Sequence, residues 1–263
     1  MTRPLDAEPR FQPRLGRLLG EVTAPLDGLR LLPRLPSQLL PRRGPQREVL
    51  VLPGWMVGDA STLLLRAALT RDGHRVRGWG LGRNTGDVPK RIDVVTEQVV
   101  ARFRTTSTPL DLVGWSLGGV IAREVARRRP EAVRRVITLG TPLHGSSFTA
   151  FAALFAEDVA RGTGDALAEG ARERKVRRKA APPRVPITVI WSRRDGIVQW
   201  RAQQDRDNPW AEHVEVGSTH LGMTLDPDVL DVLRDRVAAD VTSPLRADGA
   251  SPRRADGATP HRA

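Results

Sequence analysis

The chain has 263 residues, 40% of them hydrophobic, enough for one α/β core of ordinary enzyme size, and no internal repeat divides it. It holds no cysteine, which excludes disulfides, thiolate metal sites and cysteine nucleophiles. The formal charge of +12 is concentrated. Residues 1–47 carry nine Arg against four acids, residues 172–184 seven bases against one, and residues 244–263 four against two, leaving 22 bases against 23 acids elsewhere. A body so near neutrality argues against nucleic acid as the partner.

No apolar run approaches the roughly 20 residues of a membrane span. Arginines break every apolar run from Arg10 to Arg34, so no signal peptide is expected and a cytoplasmic protein is the plain expectation. Residues 1–47 form an Arg-, Pro- and Leu-rich extension with eight prolines, in which Leu15, Leu18, Leu19, Val22, Leu26 and Leu29 recur at helical spacing, interrupted at Pro25. Two readings stand: a short helix packed on the body, or a helix lying on an anionic membrane with arginines on its polar face.

From Glu48 the pattern changes to short leucine and β-branched runs alternating with helical stretches. EVLVLPGW, HRVRGWG, PLDLVGWS, VRRVITLG, PITVIWS and HVEVGSTH read as six strands. Helices are expected over Ser61–Arg71, Val88–Arg104, Leu117–Arg129, Phe148–Ala160 and Pro227–Ala239. Strand and helix alternate throughout, which predicts an α/β fold with a doubly wound, mainly parallel six-stranded sheet over residues 48–243. The tail, residues 244–263, repeats an ADGA unit without an apolar face and is expected to be disordered.

Such sheets bind ligands at the carboxyl ends of their strands. There, PLDLV runs into Gly114-Trp115-Ser116-Leu117-Gly118 and then helical VIAREVARRR, the strand, G-x-S-x-G, helix order of a nucleophile turn. Glycines flank the serine because side chains would clash in so tight a turn, and the N–H of Leu117 opens a helix, where developing negative charge is favoured. A serine hydroxyl needs a base and an acid behind it. Of five histidines, His74 precedes the serine, His144 precedes the candidate acids, His213 opens a strand and His261 lies in the tail, which leaves His220 in GSTHLGM. For the acid, Asp195 follows strand PITVIWS in an Asp-Gly turn, whereas Asp205 and Asp207 sit in RAQQDRDNP, where a solvated loop accounts for them. Pro53-Gly54 ends the first core strand and lets the N–H of Trp55 turn toward the serine as a second oxyanion donor beside that of Leu117.

Together these segments resemble the α/β-hydrolase family, specifically its lipase and esterase branch. LVLPGW resembles its oxyanion strand and loop, GWSLGG its nucleophile elbow, ITLGTPLHGS its Gly-Thr-Pro segment, and SRRDGIV and GSTHLGM its acid and histidine loops. The resemblance implies a Ser116-Asp195-His220 triad, backbone oxyanion donors at Trp55 and Leu117, and hydrolysis of carboxylic esters through an acyl-enzyme. Two features differ: Pro53-Gly54 stands where many relatives have His-Gly, and the chain enters the sheet directly at the oxyanion strand, as compact six-stranded bacterial lipases do.

A small cap or lid insertion is expected around residues 145–184. Phe148, Phe151 and Phe155 share one helical face there, either a core face or, with Trp115, a wall for an acyl chain. The basic run after it reads as a solvated face, or as a contact for an anionic lipid surface. Asp205, Asp207 and Glu212 lack the spacing of a calcium loop, so no metal is expected, and the chemistry requires no cofactor. The expected partner is a small-molecule ester or lipid. Acyl transfer by the same triad, and a non-catalytic binding protein on this fold, are the competing readings.

Overall fold

The structure, a computed structural model, describes residues 19–42, 44–143 and 181–240. The expectations for Phe148, Phe151, Phe155, His144, Leu15, Leu18, the 244–263 tail and nearly all of the lid therefore lie outside the described residues. Six strands form one sheet: β1 (Glu48–Leu52), β2 (Arg75–Gly78), β3 (Leu110–Trp115), β4 (Val133–Leu139), β5 (Ile187–Trp191) and β6 (Ala211–Glu215). Every pairing is parallel, in the order β2-β1-β3-β4-β5-β6. The last strand begins two residues earlier than its apolar run, at Ala211.

Burial follows from this order. Helices on both faces of a parallel sheet leave its central strands no polar side, so β1, β3 and β5 are buried at every residue. The edge strands β2 and β6 keep exposed positions. Alternate residues feed two cores. Leu50, Leu52, Leu112 and Val136 pack with Ile92, Val95 and Val99 of one long helix and with Ile121 and Val125 of another. Val49, Val51, Val113 and Ile137 pack on the other face with Leu65, Leu69, Leu230 and Leu233.

The covering helices match the predicted ones within two residues: α3 (Leu63–Arg71, preceded by a 3-10 turn at Asp59–Thr62), α4 (Val88–Thr106), α5 (Leu117–Arg128) and α7 (Pro227–Ala238). Proline in the first turn and an aspartate accepting a backbone N–H from inside that turn start both α4 (Asp87) and α7 (Asp226). Two short helices precede the sheet, α1 (Ala24–Leu29) and α2 (Leu35–Leu39), and α6 (Trp200–Gln203) follows β5.

The N-terminal segment corrects the sequence reading. Pro25 does not interrupt its helix but lies in the first turn of α1, where its missing N–H costs nothing. The segment does pack on the body, yet Val22 is 76% exposed, and Leu19, Leu26 and Leu29 also face outward. The buried side is Glu21, Ala24 and Asp27. Arg30 pairs with Asp226 and Asp228, Arg34 with Asp228, and Arg42 with Asp231 and Asp235, which straps the segment along α7. Among the described residues, no helix is long and apolar enough to cross a membrane.

Candidate active site

The strand order reverses between β1 and β3, and the crevice at their carboxyl ends holds the glycine loop and the serine turn side by side. Only Ser116 separates β3 from α5. Its backbone is at φ 52° and ψ −118°, a conformation that L-residues avoid. Ser116 N donates to Leu139 O at 2.8 Å, which pins the turn to β4. A side chain at Gly114 would land on the backbone of Gly119, and one at Gly118 on the carbonyls of Leu52 and Pro53, so the motif's glycines are demanded by close approach. Ser116 is 7% exposed at the tip, and Leu117, as the first residue of α5, has no acceptor for its N–H within the helix.

Gly54 abuts this turn: a methyl group there would sit 3.4 Å from Ser116 Cβ and 3.1 Å from the Trp115 ring. The residue before Trp55 thus lies against the serine turn. Asn84 holds the loop in place. It accepts from Met56 N at 2.7 Å, donates its own N–H to Val57 O at 2.9 Å, and donates Nδ2 to Pro53 O at 3.0 Å.

His220 and Asp195, 25 positions apart, meet at 2.6 Å between Nδ1 and Oδ2, with both residues buried. Asp195 Oδ1 meanwhile accepts the N–H groups of Ile197 and Val198 at 2.9 and 2.7 Å. Asp195 thus holds its turn through Oδ1 while Oδ2 meets His220. Burial pulls the His220 pKa down, but the facing Asp195 carboxylate, its hydrogen bond and the more distant Glu21 together raise it above the ordinary histidine value. Trp115, next to Ser116, donates Nε1 to the His220 carbonyl at 3.2 Å, so serine, histidine and aspartate are gathered at one end of the sheet.

The other candidates fall elsewhere. His74 is buried at the start of β2, at the opposite end of the sheet, and His213 Nε2 accepts from Asp205 N. Asp205 is not the solvated residue its polar neighbourhood suggests: it is buried, with Oδ2 taking hydrogen bonds from Arg123 at 2.5 Å and Asn208 at 2.8 Å. Asp207 is exposed. Glu212 pairs with Arg236, and among the described residues no cluster of three or more His, Asp or Glu could hold a metal ion.

Sequence reasoning missed the residues that brace these loops. Gln203 donates to Asp195 Oδ2 at 2.9 Å and to Val198 O at 2.7 Å. Glu21 accepts from the histidine and acid loops, and Asp27 Oδ2 accepts from both N and Oγ1 of Thr219, at 2.8 and 2.7 Å. Glu21 and Asp27 signal themselves only as acids spaced among leucines, and Gln203 as one of several polar residues after β5.

No protein-family model matches the chain. It is similar to pimeloyl-[acyl-carrier protein] methyl ester esterases of Shewanella woodyi, 31% identical over 102 residues, and of Sodalis glossinidius, 33% identical over 97 residues. The two matches cover 37% and 36% of this chain and 37% of each esterase, so the chain spans little over a third of the curated relatives it matches. Among solved structures it is similar to a Bacillus licheniformis lipase, with a TM-score of 0.57 at 14% identity over 74% of this chain and 93% of that one. A thermophilic esterase from Thermogutta terrifontis gives a TM-score of 0.53 at 18% identity, covering 74% and 90%. The all-parallel sheet, its strand order and these structural likenesses establish that the chain has the α/β-hydrolase fold.

Proposed function

We propose that this protein is a serine hydrolase of carboxylic esters, in which Ser116 is the nucleophile, His220 the base and Asp195 the acid that orients it. The observation that carries the reading is the strained Ser116 turn held, through Trp115, to a histidine that is itself 2.6 Å from a buried aspartate. A structural serine gives no reason to keep a backbone at φ 52° beside such a pair. The curated relatives are named methyl ester esterases, which supports an ester as substrate.

In this reading Ser116 Oγ attacks the ester carbonyl as His220 takes its proton. The N–H groups of Trp55 and Leu117 hold the tetrahedral oxyanion, and the imidazolium returns the proton to the departing alcohol. Water, deprotonated by the same imidazole, then releases the acid from the acyl-enzyme. The phenylalanines Phe148, Phe151 and Phe155, with Trp115, are proposed to line the acyl side, favouring lipid or acyl esters. The outward-facing Leu19, Val22, Leu26 and Leu29 support a peripheral contact with an anionic membrane.

The test is a fluorophosphonate probe together with p-nitrophenyl esters of short and long acyl chain. The wild type is expected to be labelled at Ser116, and Ser116→Ala to lose both labelling and turnover. Full turnover in Ser116→Ala would remove the mechanism.

A further inference from the structure

We propose that Glu21, far outside the segment carrying the hydrolase motifs, is a positioning residue of this site, its carboxylate tying the acid loop to the histidine loop. The proposal rests on reading Ser116, Asp195 and His220 as the triad.

Glu21 begins the 3-10 turn Glu21–Thr23 and is buried. One carboxylate oxygen, Oε1, accepts from Gly196 N at 2.6 Å and from His220 N at 3.0 Å, while Oε2 accepts from Leu221 N at 2.9 Å. Gly196 follows the acid directly, and His220 is the base. A single carboxylate therefore bridges the backbones on either side of the 2.6 Å contact between Nδ1 and Oδ2, and it arrives from 175 to 200 positions away in the chain. Nearer the sheet, the same two connections are joined by Val216 N donating to Trp191 O at 2.9 Å, and Glu21 takes over farther out.

The chemistry selects a carboxylate. It accepts at both oxygens and donates nothing, which suits three converging N–H groups. Glutamine would offer one accepting oxygen and turn an NH2 group against the third N–H. Alanine would leave buried donors without an acceptor.

Glu21 also contributes negative charge near the imidazole. Among the described residues, the charged groups around His220 are Asp195 from the acid loop and Glu21 from the N-terminal segment. Asp27 lies one residue back, on Thr219, with Arg194 Nη1 at 3.4 Å from its Oδ1. From the remaining sides the ring meets Trp115, at 5.8 Å between ring centres, and Gly140. Asp195 and Glu21 are the two carboxylates that favour protonated His220.

The experiment compares Glu21→Gln, Glu21→Ala and Asp27→Asn in the full chain. It reads kcat and KM for a p-nitrophenyl ester against pH, and the low-field Nδ1 proton of His220 by NMR against pH, assigned by its loss in His220→Gln. Glu21→Gln is expected to move the acid limb of kcat and the imidazole titration together to lower pH, and to lower kcat by about 10- to 100-fold with KM changed less than about twofold. Asp27→Asn, which removes a charge one residue farther from the ring, leaves the limb at its wild-type position whatever it does to stability. An unmoved limb in Glu21→Gln, or an equal shift in Asp27→Asn, overturns the proposal. Should Glu21→Ala fail to fold, Glu21→Gln decides alone. Should the wild type resist labelling at Ser116, the triad reading is lost, and the NMR titration still judges Glu21: an unchanged titration in Glu21→Gln overturns it.

Discussion

Trp115 Nε1 donates to the main-chain carbonyl of His220 at 3.2 Å, while the two rings lie 5.8 Å apart at their centres. The residue before the proposed nucleophile thus holds the proposed base by its backbone. Trp115→Phe keeps most of the ring packing and removes the donor, leaving the buried carbonyl with only the longer bond from Met223 N at 3.4 Å, at a cost of about 1 kcal/mol. The expected result is a lower kcat with acyl-chain preference unchanged. Ester series of increasing chain length check this: the retained ring keeps the preference, and an unchanged kcat would show that the Nε1 donor does not position His220.

The environment of His220 sets a pH dependence with two opposite signs. Because its pKa is raised above 6.5, the neutral imidazole needed as base appears only at higher pH, and activity is expected to climb through a midpoint above 6.5. For stability the protonated form is the favoured one. That contribution is full below the unfolded-state value and is lost as pH rises through the folded value. Asp195→Asn removes the main charge partner: the acid limb should move to lower pH and kcat should fall by about 10⁴-fold. Turnover against pH, alongside urea melts at pH 5.5 and 8.5, measures both.

Gly140 follows β4 at φ 56°, and a methyl group there would stand 3.0 Å from both Asp195 Oδ2 and His220 Nδ1. Gly140→Ala therefore combines a left-handed backbone, costing about 1–2 kcal/mol, with a wedge against the aspartate-histidine contact. We expect kcat to fall by up to about 100-fold with a modest loss of stability. An alanine variant of wild-type kcat would show that this contact can shift without consequence.

Arg234 is 0% exposed at the heart of the N-terminal packing. Its Nε and Nη2 donate to Asp72 at 2.7 and 2.6 Å, its Nη1 donates to Gln38 Oε1 at 3.0 Å, and its Nη2 also reaches Leu40 O at 2.6 Å. Arg234→Met leaves the Asp72 carboxylate without its charged partner, held only by the backbone N–H of Arg42, and is expected to cost about 3–5 kcal/mol. The double variant Arg234→Met with Asp72→Leu should recover much of that loss. Denaturant melts of the single and double variants give the comparison.

The sheet was legible because strands covered on both faces are predominantly apolar, and EVLVL, LDLVGW and ITVIW stand out against their polar flanks despite the buried acids Glu48 and Asp111. Ser116 and Asp195 each follow one of these strands, and His220 follows the edge strand β6, which is what made them candidates. Glu21, Asp27 and Gln203 could not be read in this way. Each is one polar residue whose partner is set by folding, and for Glu21 that partner lies some 200 positions away. In residues 19–29 the acids face inward and the leucines outward, because backbone N–H groups of the histidine loop capture the acids. Asp205 misled for a similar reason. Its polar neighbours suggested solvent, but Arg123 on α5 neutralises it inside the protein.

The backbone at Ser116 has one more implication. Holding a non-glycine residue at φ 52° and ψ −118° costs on the order of 1–3 kcal/mol, which the surrounding sheet and helix have to absorb. Ser116→Gly is then expected to melt at a higher temperature than the wild type while hydrolysing nothing. The elbow would be a place where this fold gives up thermal tolerance to hold a hydroxyl at the tip of a strained turn, and selection for heat resistance alone would erode it first.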